Sequence, residues 1–400
     1  MNTTTYLPPR GFRDITPEEA YTRRQVINLA ANLAQSFGFV PIETPTVEYK
    51  SILMGKYGEE ADKLIFDFTD RGGRQVALRY DQTVPLARYI NRFRPPLPFK
   101  RYQIQSSFRA EKPQKGRSRE FTQIDFDIVG DDGFVSDAEI LWLTANFFEA
   151  LNLPVTIAYN SRQILYAIFN QSNIPKDLYL KTAQVIDKLD KLPKTQVQNQ
   201  LGRIGLSDQT INTLWANLSQ AEPDDNLKRT IELIAPYTKT NFIFESFLVR
   251  GLDYYTGLIF EVKLTNAPGS LAGGGRYDQL IKQDNRYLPA VGVGIGLDRV
   301  VEVLKTTNRF SPLQIDAVIL VLSDTVFDYA FQVANILRRK NKNITFYPNP
   351  QTALKKGYKY AKNLNAKQVI FIGPDEKNQS YITIKNIKTN KQTQIPLNQL

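Results

Sequence analysis

The sequence predicts an α+β protein: an antiparallel sheet with helices set outside it, a helical insertion, and a small α/β unit toward the C-terminal end. Three observations carry this. Between about residues 38 and 130, short β-rich stretches follow one another across polar or glycine-rich turns, without the intervening helices of a βαβ repeat. Between about 161 and 240 strand signals vanish, and Leu, Ile, Lys, Gln and Asn recur at helical spacing. From Gln314 onward strands and helices alternate. The chain has 400 residues, more than one hydrophobic core usually organises. Its 42% apolar and 23% charged residues are the make-up of an ordinary soluble globular protein.

The first helix is marked by Thr16-Pro17-Glu18-Glu19, which supplies an N-cap hydroxyl, a proline at the first helical position and a capping-box glutamate. Val26, Leu29, Leu33 and Phe37 follow at helical spacing, and Gly38 ends the run. Val40–Ile42, Ile65–Phe68, Val76–Tyr80, Gln103–Phe108 and Phe121–Val129 read as strands, and Ala138–Leu151 as a helix. The insertion is punctuated by Pro175 and Pro193. Strands return at Phe242–Phe244 and Leu258–Leu264, followed by a glycine-rich turn, a strand over Ala290–Gly296 and a helix from Asp298 to Lys305. Thr306–Pro312 reads as a linker. Beyond it, strands at Ala317–Leu322, Ile344–Tyr347 and Val369–Ile372 alternate with helices over Val326–Lys340 and near Thr352–Leu364, the pattern of a largely parallel sheet.

Neither cysteine nor histidine occurs in the chain. Disulfides, thiol catalysis and thiolate zinc sites are therefore excluded, and so are Ser-His-Asp triads, His-ligated metals and imidazole acid–base work. Any catalysis rests on Arg, Lys, carboxylates, hydroxyls and backbone amides. The opening MNTTTYLPPRGFRD lacks a secretory-signal pattern, and no window reaches the ~18 apolar residues of a membrane span, so a soluble cytoplasmic protein is expected. The net charge of +11 is unevenly placed: Gln314–Leu400 holds 13 Lys+Arg against 5 Asp+Glu, leaving only +3 for everything before it. Such a basic terminal unit suits a polyanion partner, or equally a lysine-rich solubility surface.

Chemistry concentrates in a few segments. Arg109 ends one strand and Phe121 opens the next; the loop between them carries Lys112, Lys115, Gly116, Arg117 and Arg119. Guanidinium forks on such a hairpin match phosphate oxygens. Strand alternation puts Phe121, Gln123, Asp125 and Asp127 on one face, where buried carboxylates would be costly without partners. A ligand surface fits that face better than a core does. Leu248-Val249-Arg250-Gly251-Leu252-Asp253-Tyr254-Tyr255-Thr256-Gly257 reads as a binding loop. Ala272-Gly273-Gly274-Gly275-Arg276-Tyr277-Asp278 allows close backbone approach to a ligand, or simply a turn. Gly292-Val293-Gly294-Ile295-Gly296-Leu297-Asp298-Arg299 runs from strand into helix, and Leu297 stands where a dinucleotide fingerprint needs its third glycine. Leu78–Pro85 places Asp81 and Thr83 at a strand end.

In order and wording these segments resemble the histidyl-tRNA synthetases, a family of class II aminoacyl-tRNA synthetases. GFVPIETPTVE at Gly38–Glu48 is similar to motif 1, which joins two subunits; Phe108–Gly130 is similar to motif 2 and Gly292–Val300 to motif 3. LVRGLDYYTG and AGGGRYD are similar to the two stretches peculiar to the histidine-specific family. The resemblance spans essentially the whole chain. It implies a class II antiparallel-sheet catalytic core, discontinuous over 1–160 and 241–310, a helical insertion over 161–240 and a C-terminal α/β anticodon-binding domain over 314–400. It also implies a homodimer that joins L-histidine to its tRNA through a histidyl-adenylate, with ATP as substrate together with Mg2+ and no metal held by the protein.

By the same resemblance, Arg109 and Arg250 are the catalytic pair at the α-phosphate. Glu111 reads the adenine amino group, Phe121 stacks on the ring, Arg299 covers its other face, and Arg299 with Arg117 holds the γ-phosphate. Asp81, Thr83 and Gln123 surround the ammonium group of histidine, whose site also takes in Arg109 and Arg250. Asp127 and Tyr255 bond the two imidazole nitrogens, and Tyr254 lines the pocket. Gln114 and Lys115 meet the acceptor stem of tRNA. Some members carry Glu where this chain has Asp81 and Asp127, and bulkier residues where it has Ser118 and Thr122. Two non-ligase relatives of such folds frame the alternatives: a regulatory subunit of ATP phosphoribosyltransferase, and a tRNA-sensing module. The missing histidines fit either a chain translatable without the tRNA it charges or compositional drift.

Overall fold

The computed structural model describes residues 6–54, 65–112, 118–190, 192–250, 254–265, 269–307 and 314–400. The chain divides into two compact units, Met1–Arg309 and Phe310–Leu400.

The first unit is built on an eight-stranded sheet. Its strands are β1 (Val40–Pro41), β2 (Phe99–Phe108), β3 (Glu120–Val129), β4 (Val155–Ser161), β5 (Asn241–Phe244), β6 (Leu258–Leu264), β7 (Ser270–Arg276) and β8 (Ala290–Gly296). Their spatial order is β1-β2-β3-β8-β7-β6-β4-β5. The six inner strands pair antiparallel, as the sequence predicts, and only the flanking pairs β1–β2 and β4–β5 are parallel. The glycine-rich stretch expected to be a turn is instead β7, in the interior of this sheet. Glycine weakens a strand locally, but two neighbours supply hydrogen bonds on both sides.

Helices α1 (Pro17–Ser36), α2 (Thr83–Phe93), α3 (Phe134–Ala150) and α4 (Leu297–Thr307) flank the sheet. At the start of α1 the Thr16 hydroxyl accepts the Glu19 N–H at 3.5 Å. The Glu19 carboxylate, expected to close a capping box, is engaged by Arg13 at 2.5 and 2.8 Å and by Lys305 at 2.9 Å. Three charge-assisted bonds outweigh one to a backbone amide. The fully buried stripe of α1 is Val26, Ala30 and Ala34, with Leu29 and Leu33 half-buried beside it. Helix α2 was not expected. It begins where Asp81 Oδ1 accepts the Val84 N–H at 3.2 Å, tolerates Pro85 in its first turn, and buries Leu86 and Ile90 completely.

The insertion comprises helices Arg162–Gln171, Tyr179–Ile186, Lys194–Arg203, Asp208–Gln220 and Asp225–Ile234. Its Leu165, Phe169, Leu214 and Trp215 share one hydrophobic core with Val249, Tyr255, Ile259 and Tyr277 from the sheet region. Insertion and sheet are thus packed together, behind residues the sequence marks as binding.

In the second unit, β9 (Ala317–Val321), β10 (Ile344–Tyr347), β11 (Gln368–Ile372), β12 (Tyr381–Asn386) and β13 (Gln392–Pro396) form a sheet in the order β10-β9-β11-β12-β13. The first three are parallel, and the last two form an antiparallel hairpin. The largely parallel expectation therefore holds for half of the sheet. Its apolar strands are buried on both faces, with clusters around Ile319 and Val333 on one side and around Leu320 and Ala361 on the other.

Candidate active site

A cavity of about 480 Å³ is lined by Arg109, Glu111, Phe121 and Arg299, together with Arg13, Glu19, Asp298, Glu302 and Lys305. The Arg109 guanidinium lies over the Phe121 ring, 5.0 Å from its centroid, and Arg109 Nε donates to the Tyr80 carbonyl at 3.3 Å. Asp298 fixes the adjoining stretch of β3: it accepts the Thr122 N–H at 2.8 Å, Arg23 at 2.6 Å and Arg13 at 2.9 Å. Hydrogen bonds from Arg13, and then Lys305, hold the Glu19 carboxyl down at a pKa of about 2 against the effect of burial.

The floor of the site follows from register. Across the sheet, Asp127 of β3 faces Gly292 of β8, which faces Gly275 of β7; one row on, Asp125 faces Gly294, which faces Gly273 and then Glu261 of β6. Because side chains alternate, β8 presents glycines to this face and buries Val291, Val293 and Ile295 on the other. A Cβ at Gly292 would sit 2.1 Å from Asp127 Oδ1, and one at Gly273 would sit 2.5 Å from Arg250 Cζ. Bare backbone is what admits these two groups. Arg250 lies over Gly273 and pairs with Glu261 at 2.5 Å. Its backbone takes the left-handed φ of +59°, held by Arg162 donating to the Arg250 carbonyl at 3.3 Å and by buried Asn160, which donates to the Ser246 and Leu248 carbonyls at 3.0 Å each. Arg276 faces away from this floor and pairs with Asp137 at 2.7 Å.

A polar pocket adjoins this floor. Asp127 Oδ2 lies 2.7 Å from Nη2 of the fully buried Arg101, and Asp127 Oδ1 accepts the Tyr277 hydroxyl. The Tyr254 ring is 4.6 Å from that of Tyr255 and meets Tyr277 edge-on at 5.8 Å. Burial raises the Tyr254 phenol well above its ordinary value, helped by Tyr255 and by the Asp81 carboxylate. Burial likewise raises Asp125 and Asp127, while Arg101 pulls both back. Arg250 is held above its ordinary value: burial opposes its charge, but Tyr255, Glu261 and Tyr254 outweigh it. Gln123 Nε2 lies 3.4 Å from Asp125 Oδ1, and Gln123 Oε1 is buried without a hydrogen-bond partner among the described residues.

Four of the residues the sequence assigns to ATP thus line one cavity: Arg109, Glu111, Phe121 and Arg299. Arg250, Asp81, Tyr254 and Tyr255 act on one another electrostatically, and Asp127 meets the same cluster through Tyr277. Thr83 is half-buried at the first residue of α2. Arg117, Gln114 and Lys115 lie outside the described residues. Sequence reasoning did not find Arg13, Arg101, Glu261, Tyr277 and Lys305. Arg101 had a signal, the alternation Arg101, Gln103, Gln105 along β2; Arg13 and Lys305 had none.

A histidyl-tRNA synthetase family model matches residues 11–300, and an anticodon-binding-domain model matches 316–400. The chain belongs to the histidyl-tRNA synthetase family. It is 37% identical to the histidine–tRNA ligase of Nanoarchaeum equitans, over 98% of both chains, and 36% identical to that of Aeropyrum pernix, over 98% of this chain and 95% of the relative. A solved histidyl-tRNA synthetase from a Nostoc species superposes with a TM-score of 0.83 at 26% identity, over 98% of this chain and 97% of that one. A Bacillus halodurans protein described as an ATP phosphoribosyltransferase regulatory subunit/histidyl-tRNA synthetase shares the fold at a TM-score of 0.77 and 20% identity. The activity of this family is ATP-dependent histidylation of tRNA, a class II ligase reaction, and the regulatory-subunit reading is not favoured over it. No helix among the described residues is long and apolar enough to cross a membrane.

Proposed function

We propose that this chain forms histidyl-adenylate in the cavity and pocket described above and passes the histidyl group to the terminal adenosine of its tRNA. The histidine carboxylate oxygen attacks the α-phosphorus of ATP, the bond to the β-phosphate oxygen breaks, and pyrophosphate leaves. A ribose hydroxyl of tRNA then attacks the activated carbonyl and AMP leaves. Neither step needs a protein nucleophile, only positioning and charge stabilisation, which an enzyme without His or Cys can provide.

The observation that supports this best is the pair of guanidinium groups held ready: Arg109 over Phe121, and Arg250 pressed onto bare backbone at Gly273. In this reading both contact the α-phosphate. Phe121 and Arg299 sandwich adenine, Glu111 reads its amino group, and Arg117 joins Arg299 at the γ-phosphate. Mg2+ enters as the counterion of ATP, part of the substrate. Asp81, Thr83 and the orphaned acceptor of Gln123 take the ammonium group. Asp127 and Tyr255 take the imidazole nitrogens, with Tyr254 as wall. Both ring nitrogens then have dedicated partners that other side chains would leave unpaired, so discrimination of roughly 10⁴ or more is attainable without editing.

Residues 161–240 serve as an insertion within a catalytic core of 1–160 and 241–310. Gln114 and Lys115 meet the acceptor stem, and the basic domain 314–400 reads the anticodon. Exposed Val40, Val47, Tyr49 and Phe68, on and beside the motif 1 stretch, support a cytoplasmic homodimer joined there. The deciding experiment is histidine-dependent ATP–pyrophosphate exchange, followed by charging of tRNA. A regulatory subunit or a tRNA sensor would give neither.

A further inference from the structure

We infer that Arg101 is a positioning residue for amino-acid selection, orienting the Asp127 carboxylate from beneath the pocket so that, with Tyr277, its outward lone pairs face the substrate imidazole. The inference rests on Asp127 being the imidazole acceptor.

Arg101 is fully buried and reaches neither surface nor cavity. Its Nη2 lies 2.7 Å from Asp127 Oδ2 and 3.9 Å from Asp125 Oδ2, while Nη1 donates to Gln103 Oε1 at 3.3 Å. Gln103 is fixed in turn, donating to Thr44 Oγ1 at 2.8 Å and to Gln105 Oε1 at 2.6 Å, and Gln105 Oε1 also accepts from Arg79 at 2.9 Å. The cation is therefore anchored from behind along β2, and Asp127 is anchored from the cation. Tyr277 takes one lone pair of the other carboxylate oxygen.

Electrostatics point the same way. Two buried acids share one close cation, Asp81 and Tyr254 face the cluster from the turn that caps α2 and from the Tyr254–Tyr255 stretch, and Arg79 faces Asp125. Burial drives both carboxyls toward the neutral form, which donates rather than accepts. Arg101 opposes that drive. A buried ion pair contributes little to stability against an apolar replacement, so stability alone does not account for this one. Gly292 adds the complementary feature: any side chain there would fill the space beside Asp127 Oδ1.

The test is steady-state exchange with Arg101→Met, Arg101→Lys and Tyr277→Phe. For Arg101→Met, KM for histidine is expected to rise roughly 10- to 100-fold, through the loss of the close ion pair that holds Asp127, while KM for ATP stays within about twofold. The ratio of mutant to wild-type KM for histidine should widen as pH falls from about 8.5 to about 6.5, because the freed carboxyl protonates at higher pH. Arg101→Lys should recover part of the loss, and Tyr277→Phe should show the same signature at smaller size. Unchanged KM for histidine and pH profile in Arg101→Met, or equal rises for histidine and ATP, would overturn the inference. If Arg101→Met does not fold, Tyr277→Phe decides: a wild-type histidine KM there overturns it. A wild-type protein with no histidine-dependent exchange would instead overturn the function proposed above.

Discussion

The guanidinium of Arg109 rests on the ring of Phe121, 5.0 Å from its centroid, so the cation proposed for the α-phosphate and the ring proposed to stack on adenine hold each other in place. Asp298, bound to the Thr122 amide, fixes the same strand from α4. Preorganisation of this kind is what makes a donor useful in a transition state.

Removing either proposed catalytic guanidinium should therefore be severe. Arg109→Ala and Arg250→Ala are each expected to lower pyrophosphate exchange by roughly 10²–10³-fold while far-UV circular dichroism stays that of the wild type. Near-normal exchange in either variant would remove that residue from the α-phosphate.

Phe121→Leu separates stacking from phosphate chemistry. A base on an aromatic ring gains about 1–3 kcal/mol, so KM for ATP should rise roughly 5- to 150-fold, with a smaller change in KM for histidine. Equal effects on both substrates would argue that Phe121 shapes the fold and not the nucleotide site.

Gly273→Ala probes the floor. The new methyl would sit 2.5 Å from Arg250 Cζ, so the guanidinium must shift and its pairing with Glu261 must loosen. Exchange should fall at least about tenfold, since misplacing a catalytic group by about 1 Å costs that much or more. Wild-type kcat in this variant would show that Arg250 acts from another position.

Glu19 gives a stability test against pH. Its pKa is lowered to about 2 by Arg13 and Lys305, so its stabilisation is present above the ordinary glutamate range and is lost as pH falls toward about 2. Glu19→Gln should cost about 1–2 kcal/mol at pH 7, modest because Arg13 is partly exposed, and nothing near pH 2. Urea melts at the two pH values measure it; an equal loss at both would assign the effect to packing.

If the basic domain docks tRNA, salt should separate the two half-reactions. KM for tRNA should climb steeply with ionic strength, by counterion release, while amino-acid activation changes far less. A salt-independent KM for tRNA would leave the +8 of Gln314–Leu400 as a solubility surface.

Much of this was legible in the residues themselves. The start of α1, the β2–β3 hairpin with Arg109 and Phe121 at its ends, and β8 running into α4 all follow from local pattern. Helix α2 was not legible because Pro85 suggests an ending and Asp81 a site residue, when Asp81 also caps the helix. Nor was β7, since three adjacent glycines carry no strand propensity and only neighbouring strands make them one. The cavity eluded the sequence where it depends on Lys305 reaching Glu19 across 286 positions. Arg101 was overlooked for a smaller reason: its strand starts at Phe99, four residues before Gln103.

The antiparallel match of β8 against β3 carries one further consequence. Slide one ribbon past the other by a single residue, and Val291, Val293 and Ile295 would point where the glycines now leave a void. The proposed chamber exists only in one of the two phases that this ladder can adopt, so inserting or deleting a single residue within it should erase the proposed catalysis even in a chain that still collapsed and stayed in solution.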